Sequence, residues 1–167
     1  MRNSYLQKNK RKVDWFSKAY IKRQSKNKPH NCIIWESVFV DASTFSNQGF
    51  TKYRGVNTQT KKVLFEHSYP MATNNIGKFL AIIHAVAWHK KNKLSLPVLY
   101  TDSYTAMSWV NNKRCNTKLK RTKLSKQLFD DISRAIIWLN TNKFDTKILK
   151  WNTKKWGKIP ENYERKL

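Results

Sequence analysis

The chain has 167 residues, of which 34 are Lys or Arg and 10 are Asp or Glu, so its formal net charge is +24. This length suits one domain with an extension, and a hydrophobic fraction of 40% is enough for a packed core. So large an excess of one sign predicts a polyanionic partner, with nucleic acid favoured over an anionic membrane surface.

Several features bear on where the protein works. The sequence contains neither a secretory signal pattern nor an apolar run of about 20 residues, so we expect no membrane span. Cys32 and Cys115 lack the CxxC spacing of a redox or zinc motif, which favours reduced, structural thiols. These features favour a cytoplasmic protein, although the basic N-terminus also has the composition of a targeting segment.

Residues 1–31 are predicted to form a basic arm that ends near Pro29. Its first 30 residues hold ten Lys or Arg and one acid, Asp14, with Trp15 and Phe16 among them. One interpretation is a disordered tail. The other, which the pattern favours, is an arm that orders on RNA, with cations on phosphates and aromatic rings stacking. The candidate RNA-binding residues of this arm are Lys8, Lys10, Arg11, Lys12, Lys22 and Arg23.

The predicted domain, residues 32–167, opens with three strands. Residues 32–41 form a buried apolar run that ends on Asp41. Residues 50–56 and 62–69 alternate in part between apolar and polar side chains and suit an antiparallel meander.

The clearest helix is predicted over residues 76–91. Thr73 or Asn74 can cap its start. His84 and His89 lack a set of metal ligands around them, so a structural role is expected for both. The predicted buried face consists of Ile76, Phe79, Leu80, Ile83, Val86 and Ala87, which recur at helical spacing.

The remaining predicted elements are two strands and two helices. Ile132, Ile136, Ile137 and Leu139 are expected to face inward on the second of these helices. The strand that precedes Asp102, like the one that ends on Asp41, is predicted to present a carboxylate at one edge of the sheet, the usual geometry of a Mg²⁺ site. In chain order these elements are a strand over 96–100, a helix over 104–110 capped by Ser103, a helix over 129–140 and a strand over 147–151.

Residues 111–126 hold seven cations and no acid. A solvated loop is one interpretation, and a surface that binds a phosphate backbone is the favoured one. A second basic segment follows at residues 154–166. The candidate RNA-binding residues of the two segments are Lys113, Arg114, Lys118, Lys120, Arg121, Lys123, Lys154 and Lys155.

Four motifs, in order, resemble the ribonuclease H family, in its bacterial type 1 branch, which cuts RNA in RNA–DNA hybrids. The resemblance covers residues 35–166 and implies an α/β fold, a five-stranded mixed sheet with helices on both sides. The matching motifs are Asp41 at the end of the first strand, the turn Thr73-Asn74-Asn75, the element Thr101-Asp102-Ser103, and the tail from Lys150 to Pro160.

The same resemblance implies a site in which four carboxylates hold two Mg²⁺ ions, and this chain has two of the four. Asp41 and Asp102 remain, whereas Lys78 stands in place of a glutamate and Asn152 in place of an aspartate. Two unit charges 4 Å apart interact by about 4 kcal/mol at an intermediate dielectric, so exchanging attraction for repulsion is expected to weaken metal binding by several powers of ten. We therefore predict no catalytic residue, no metal and no cofactor.

Two hypotheses concern the residues at this degenerate site. The Lys78 ammonium either replaces the metals and pairs with Asp41 and Asp102, which is favoured, or extends into solvent. In the family the Asn-Asn turn reads sugar and base edges in the minor groove, which implies that Asn74 and Asn75 retain RNA binding.

The sequence thus predicts a non-catalytic RNA-binding protein, a structural subunit of the ribosome or of another ribonucleoprotein. Its expected partners are structured RNA, foremost ribosomal RNA, and neighbouring ribosomal proteins, with no membrane. The rival is a divergent metal-dependent ribonuclease H with a shifted carboxylate, and a third class is a regulatory factor that binds hybrids or double-stranded RNA transiently. The acids available to the rival are Asp130, Asp131, Asp145 and Glu161.

Overall fold

The structure is a computed structural model, and it describes residues 32–159. The predicted arm with its six candidate RNA-binding residues lies outside the described residues, as does Glu161. The elements in chain order are β1 (Val38–Thr44), β2 (Gly49–Asn57), β3 (Val63–Ala72), α1 (Asn74–Lys91), β4 (Val98–Thr101), α2 (Tyr104–Asn111), α3 (Lys126–Thr141), β5 (Lys147–Lys150) and α4 (Thr153–Trp156).

The five strands form one mixed sheet in the order β3-β2-β1-β4-β5. The first three are an antiparallel meander, as predicted, and β1, β4 and β5 run parallel to one another. Because α1 connects β3 to β4, the chain crosses one face of the sheet, from β3 at the edge past β2 and β1 to β4. The predicted α/β class and the five-stranded mixed sheet are confirmed.

Helix α1 is the centre of the core. Its predicted inward residues are buried except Ala87, which is half-buried, and Ala81, Ile82 and Ala85 are buried as well. The helix is covered on more than one side because α2 and α3 also pack against it. Gly77 allows its first turn to lie against the sheet, since a Cβ atom there would come within 2.7 Å of the Ala42 Cβ.

The opposite face of the sheet is covered by tryptophans near the C-terminus. The Trp151 ring centroid lies 5.5 Å from that of Tyr100 and 5.9 Å from that of Phe39. Trp156 of α4 lies 5.6 Å from Tyr100. The sheet is therefore enclosed on both faces at its centre, which explains the burial of both alternating sets of residues on β1.

Two predicted details are wrong. The first strand begins at Val38 and not at residue 32, because the preceding chain turns, with Ser37 N donating to Trp35 O at 2.8 Å. Ile137, predicted to face inward on α3, is 61% exposed. The other predicted inward residues of α3 are confirmed, since Ile132 and Leu139 are buried and the half-buried Ile136 packs against the core. Leu128 and Ala135 complete this face at spacings of three and four.

Among residues 32–159, none of the helices is long and apolar enough to cross a membrane.

Candidate functional site

Three of the predicted site residues meet where strands β1 and β4 separate. These strands pair over two residues each, ending at Phe39 and Tyr100, and the sheet opens beyond that point. Asp41 lies on β1 just past the opening, Asp102 directly follows β4, and Lys78 lies near the start of α1. The close approach of α1 to the sheet brings a side chain of the helix over the gap between the two strands.

The Lys78 ammonium bridges the two carboxylates. Its Nζ atom lies 2.7 Å from Asp102 Oδ1 and 3.6 Å from Asp41 Oδ1. The side chains of Lys78 and Asp41 are 13% and 7% exposed, and that of Asp102 is 28% exposed. The internal pairing predicted from the sequence is therefore present, and Lys78 does not extend into solvent. We call Asp41, Lys78 and Asp102 the ion cluster.

In the ion cluster two carboxylates share the Lys78 ammonium. Asp102 Oδ1 is buried and receives no hydrogen bond of good geometry from the described residues, so the nearby Lys78 charge is its compensation. A carboxylate in this position is costly without a cation because burial removes its hydration. Lys78 is therefore integral to the stability of the cluster.

The residues flanking the ion cluster form a network of caps. Thr73 Oγ1 accepts from Ile76 N at 3.3 Å, which confirms the predicted cap of α1. Ser103 Oγ accepts from Ala106 N at 3.0 Å and caps α2, also as predicted. The same hydroxyl donates to Asn75 Oδ1 at 3.0 Å.

The amide groups of Asn74 and Asn75 are held by their oxygen atoms. Thr44 Oγ1 donates to Asn74 Oδ1 at 3.1 Å, as Ser103 does to Asn75. Both asparagines are exposed, and neither amide nitrogen donates to another of the described residues. The side chains of Asn74 and Asn75 thus present oriented N–H donors at the surface beside the ion cluster.

Asn152 has a role that the sequence did not predict. Its Oδ1 accepts from Lys155 N at 3.2 Å and caps the short helix α4. The oxygen that would be needed as a metal ligand is therefore engaged with the backbone. The preference of Asn for the residue before a helix is the signal that would have indicated this cap.

The ion cluster does not fit a site for two Mg²⁺ ions. Mg²⁺ requires carboxylate or other oxygen ligands in near-octahedral geometry, and here an ammonium lies against both carboxylates. Within residues 32–159 there is also no group of three or more His, Cys, Asp or Glu side chains that could hold a metal ion.

The acids available to a rival active site have partners or lie elsewhere. Asp130 pairs with Arg121 at 2.5 Å. Asp131, the next residue of α3, pairs with Arg134. Asp145 lines a groove of about 470 Å³ between α2, α3 and β5.

The basic segment between α2 and α3 is an ordered loop, which we call the basic loop (residues 112–125). Leu119 is buried and anchors it. Ser125, also buried, accepts from Thr122 N at 2.8 Å and donates to Lys120 O at 3.0 Å. All six candidate cations of the loop are exposed, with Arg121 shared with Asp130, and so are Lys154 and Lys155 on α4.

A second polar cluster lies where α1 and α3 meet β2 and β3, and the sequence did not predict it. Tyr53 Oη and His84 Nδ1 are 3.1 Å apart, and the His84 ring stacks on Phe65 with centroids 3.9 Å apart. Tyr69 Oη donates to Asp131 Oδ2 at 2.8 Å. We call these five residues the hydroxyl cluster.

Burial determines the protonation of the hydroxyl cluster. Burial is the main cause that raises the pKa of Tyr53 and of Tyr69 well above the usual range. Burial, followed by the nearby His67, lowers the pKa of His84 below its ordinary value of 6.5. His84 is therefore neutral in the folded protein at pH 7, and its predicted structural role agrees with these contacts.

Comparison with known proteins agrees with this architecture. The family model described as RNase H matches residues 35–154. Among solved structures, the RNase H1 of the halophilic archaeon Halobacterium salinarum is 17% identical, with 69% of this chain and 83% of that chain covered and a TM-score of 0.43. LC11-RNase H1, isolated from compost and solved in complex with an RNA/DNA hybrid, is 19% identical, with coverages of 71% and 86% and a TM-score of 0.42. The N-terminal RNase H domain of a Mycobacterium tuberculosis protein is 16% identical, with coverages of 68% and 82% and a TM-score of 0.39.

Proposed function

Because this chain belongs to the ribonuclease H family, we propose that it is a member that binds RNA without cutting it. The observation that carries the proposal is the position of Lys78 Nζ, 2.7 Å from Asp102 and 3.6 Å from Asp41. In the family's chemistry these carboxylates hold metal ions, and in this chain an ammonium lies against both of them.

Coulomb's law supports the loss of metal-dependent cleavage. A divalent cation placed between Asp41 and Asp102 would lie close to the Lys78 ammonium, and like unit charges at about 4 Å repel by about 4 kcal/mol at an intermediate dielectric. The ammonium also uses the negative charge that would attract the metal. We derive no catalytic step through a metal for this chain.

Binding of RNA is supported by groups that remain around the ion cluster. The exposed N–H donors of Asn74 and Asn75 suit sugar hydroxyls and base edges. The basic loop supplies cations for phosphates, and the net charge of +24 gives a strong, salt-dependent attraction to a polyanion.

More specifically, we propose that the partner is structured RNA, foremost ribosomal RNA in the cytoplasm, and that neighbouring ribosomal proteins contact this chain. Support comes from the distribution of charge. Cations are concentrated in residues 1–30, in the basic loop and after residue 147, that is, near both ends of the sequence and in one loop of the domain. A permanent RNA-bound subunit needs such an excess because each neutralised phosphate adds to affinity.

A combined cleavage and binding assay tests the proposal. The full chain is incubated with an RNA–DNA hybrid and with duplex RNA in Mg²⁺ or Mn²⁺. We expect binding without cleavage, and affinity that falls as salt rises. Cleavage by the wild-type chain that is lost in Asp41→Asn would overturn the proposal in favour of the enzyme.

A restoring variant sharpens this assay. Lys78→Glu with Asn152→Asp returns carboxylates to both replaced positions, and we expect Mg²⁺ to raise its melting temperature more than that of the wild type. The matched control is Lys91→Glu with Asn92→Asp, which makes the same change of charge at the exposed end of α1. Equal Mg²⁺ effects in wild type, control and restored variant would contradict the assignment of Lys78 as the group that displaces the metal.

Sucrose-gradient fractionation of native lysate at low and high salt tests the proposed association with the ribosome. The expected result is stoichiometric co-migration with one ribosomal subunit through a high-salt wash. If the protein is recovered only in the fractions free of ribosomes, the ribosomal proposal is wrong. RNA binding itself is then tested by the cleavage and binding assay.

A further inference from the structure

We propose that Phe45 and Phe50, at the end of the β1–β2 hairpin, form a stacking site for one unpaired nucleobase. This inference rests on the proposed RNA binding and deepens it, because it names the kind of RNA: a strand with a bulged or looped nucleotide and not a uniform double helix. The two phenylalanines are called the aromatic rung.

The aromatic rung is a cross-strand pair. Phe45 N donates to Phe50 O at 2.9 Å, one step beyond the last paired residues of the ladder, Thr44 and Thr51. Residues directly opposite each other place their side chains on the same side of the ribbon. Because Thr51 is buried against Gly77 of α1, the alternation of side chains puts the aromatic rung on the side away from α1.

The hairpin that carries the rung is tightly closed. A Cβ atom at Gly49 would lie 2.5 Å from the Phe45 carbonyl oxygen, so only glycine permits this approach. The register of β2 against β3 shifts between Gly49 and Thr51, at the position of Phe50, and such irregularities redirect side chains. Thr44, next to Phe45, is joined to Asn74 at the start of α1. The rung therefore has a defined position relative to the ion cluster.

Both rings are available to a ligand. Phe45 is 82% exposed and Phe50 is 55% exposed. Neither ring stacks on another aromatic side chain within the part of the chain that the structure describes. An exposed phenylalanine has no polar group that water can hydrate, so two such rings on one rung of a hairpin indicate a partner.

The surroundings favour a nucleobase over a protein surface. The rung is flanked by Ser43, Ser46 and Lys52, not by a continuous apolar patch of the size that a stable protein interface requires. A nucleobase needs one aromatic face, and stacking tolerates any base. Lys52 lies on the same side of β2 as Phe50 and pairs with Glu66 at 2.8 Å, while the net charge of +24 supplies the attraction to the phosphates of the same strand.

The rung also lies within reach of RNA held at the ion cluster. Asp41, Ser43 and Phe45 alternate along the same side of β1, so the rung is about 13 Å from Asp41 along the strand. An RNA strand that contacts the amide donors of Asn74 and Asn75 can continue over this hairpin. An unpaired nucleotide there exposes the base face that a continuous helix keeps stacked.

Equilibrium binding to two matched RNAs tests the proposal. One probe is a fully paired RNA hairpin, and the other is the same hairpin with a single bulged 2-aminopurine nucleotide. We expect the full-length wild type to bind the bulged probe about 5- to 100-fold more tightly, the range of one base–aromatic stack, and to quench its 2-aminopurine fluorescence.

Three variants make the test specific. Phe45→Ala with Phe50→Ala is expected to lose the preference and the quenching while keeping its affinity for the paired probe. Phe45→Tyr with Phe50→Tyr is expected to retain both, because the aromatic face is kept. Leu94→Ala with Ile137→Ala, at other exposed apolar positions, is the matched control and is expected to behave as wild type. Phe45→Ala alone serves if the double alanine variant does not fold.

The outcomes separate this inference from the proposed function. A wild type that binds both probes equally, or an alanine variant that keeps the preference, overturns the aromatic rung and leaves RNA binding intact. A wild type that binds neither probe overturns the proposed function itself. Retained RNA binding with loss of association to a protein in the alanine variant assigns the rung to a protein partner and also overturns the inference.

Discussion

The ion cluster and the hydroxyl cluster both join a polar side chain of α1 to polar groups of the sheet, but they are compensated differently. In the ion cluster, the full positive charge of Lys78 lies against two carboxylates. In the hydroxyl cluster, His84 is neutral and hydrogen-bonds to the Tyr53 hydroxyl.

The difference indicates which cluster is available for function. The hydroxyl cluster satisfies its own groups beneath packed rings, as a structural network does. The ion cluster lies at the opening of the sheet beside the exposed amide donors of Asn74 and Asn75, where the proposed RNA strand would reach it.

The largest expected effect is the loss of the cation from the ion cluster. Lys78→Met removes the ammonium that lies 2.7 Å from the buried Asp102 Oδ1, and we expect the free energy of unfolding to fall by about 3 kcal/mol at pH 7. Urea denaturation of the wild type and the variant measures this difference.

Two controls accompany this measurement. Lys91→Met removes an exposed lysine from the end of the same helix and is expected to change stability by about 0.5 kcal/mol or less. Adding Asp41→Asn and Asp102→Asn to Lys78→Met is expected to recover most of the free energy of unfolding that Lys78→Met loses. If Lys78→Met lowers the free energy of unfolding by less than about 1 kcal/mol, the ion cluster does not depend on the Lys78 charge, and the contrast with the hydroxyl cluster fails.

A smaller effect is expected from the hydroxyl cluster. His84→Ala removes the stack on Phe65 and leaves the buried Tyr53 hydroxyl without its partner, for a loss of about 2 kcal/mol. Ile137, exposed on α3 outside the cluster, provides the control, and Ile137→Ala is expected to cost less than about 1 kcal/mol. Equal losses in the two alanine variants would contradict the hydroxyl cluster as a cooperative unit.

The smallest expected effect is a pH dependence that distinguishes the clusters. Burial and His67 lower the folded-state pKa of His84 below 6.5, so the contribution of this residue is fully present above pH 6.5. As the pH falls below 6.5, His84 is protonated in the unfolded chain before it is protonated in the folded protein. The free energy of unfolding therefore decreases until the pH reaches the folded-state pKa of His84. The stability difference between wild type and His84→Ala should therefore shrink from pH 7.5 to pH 5, as urea midpoints at both values will show. A difference that stays constant would mean that the pKa of His84 is the same in the folded and the unfolded protein.

Local patterns in the sequence were sufficient for most of the elements. The predicted bounds of α1 and β2 agree with the structure to within two residues, because helical spacing and alternation are properties of neighbouring residues. The caps at Thr73 and Ser103 were predicted for the same reason. On α3 the inward positions of Ile132 and Leu139 were predicted correctly. The exposure of Ile137 was not predicted, because it is as apolar as Leu128 and only the packing partners distinguish the two.

The residues at the candidate site were also identified from the sequence, by the order of motifs around Asp41, Lys78 and Asp102. The hydroxyl cluster was not identified, because Tyr53 and His84 are 31 residues apart and neither belongs to a motif. The cap formed by Asn152 was obscured by its expected place among metal ligands.

The sequence by itself thus determined the class of fold, the net charge of +24 and the presence of Lys78 and Asn152 where the family has acids. The tertiary structure decided where the exchanged charge lies. Gly77 lets α1 approach the sheet, and β1 and β4 part after Phe39, so that the Lys78 ammonium reaches both carboxylates. That contact joins residues from three elements, and its geometry depends on how those elements pack, which no local pattern encodes.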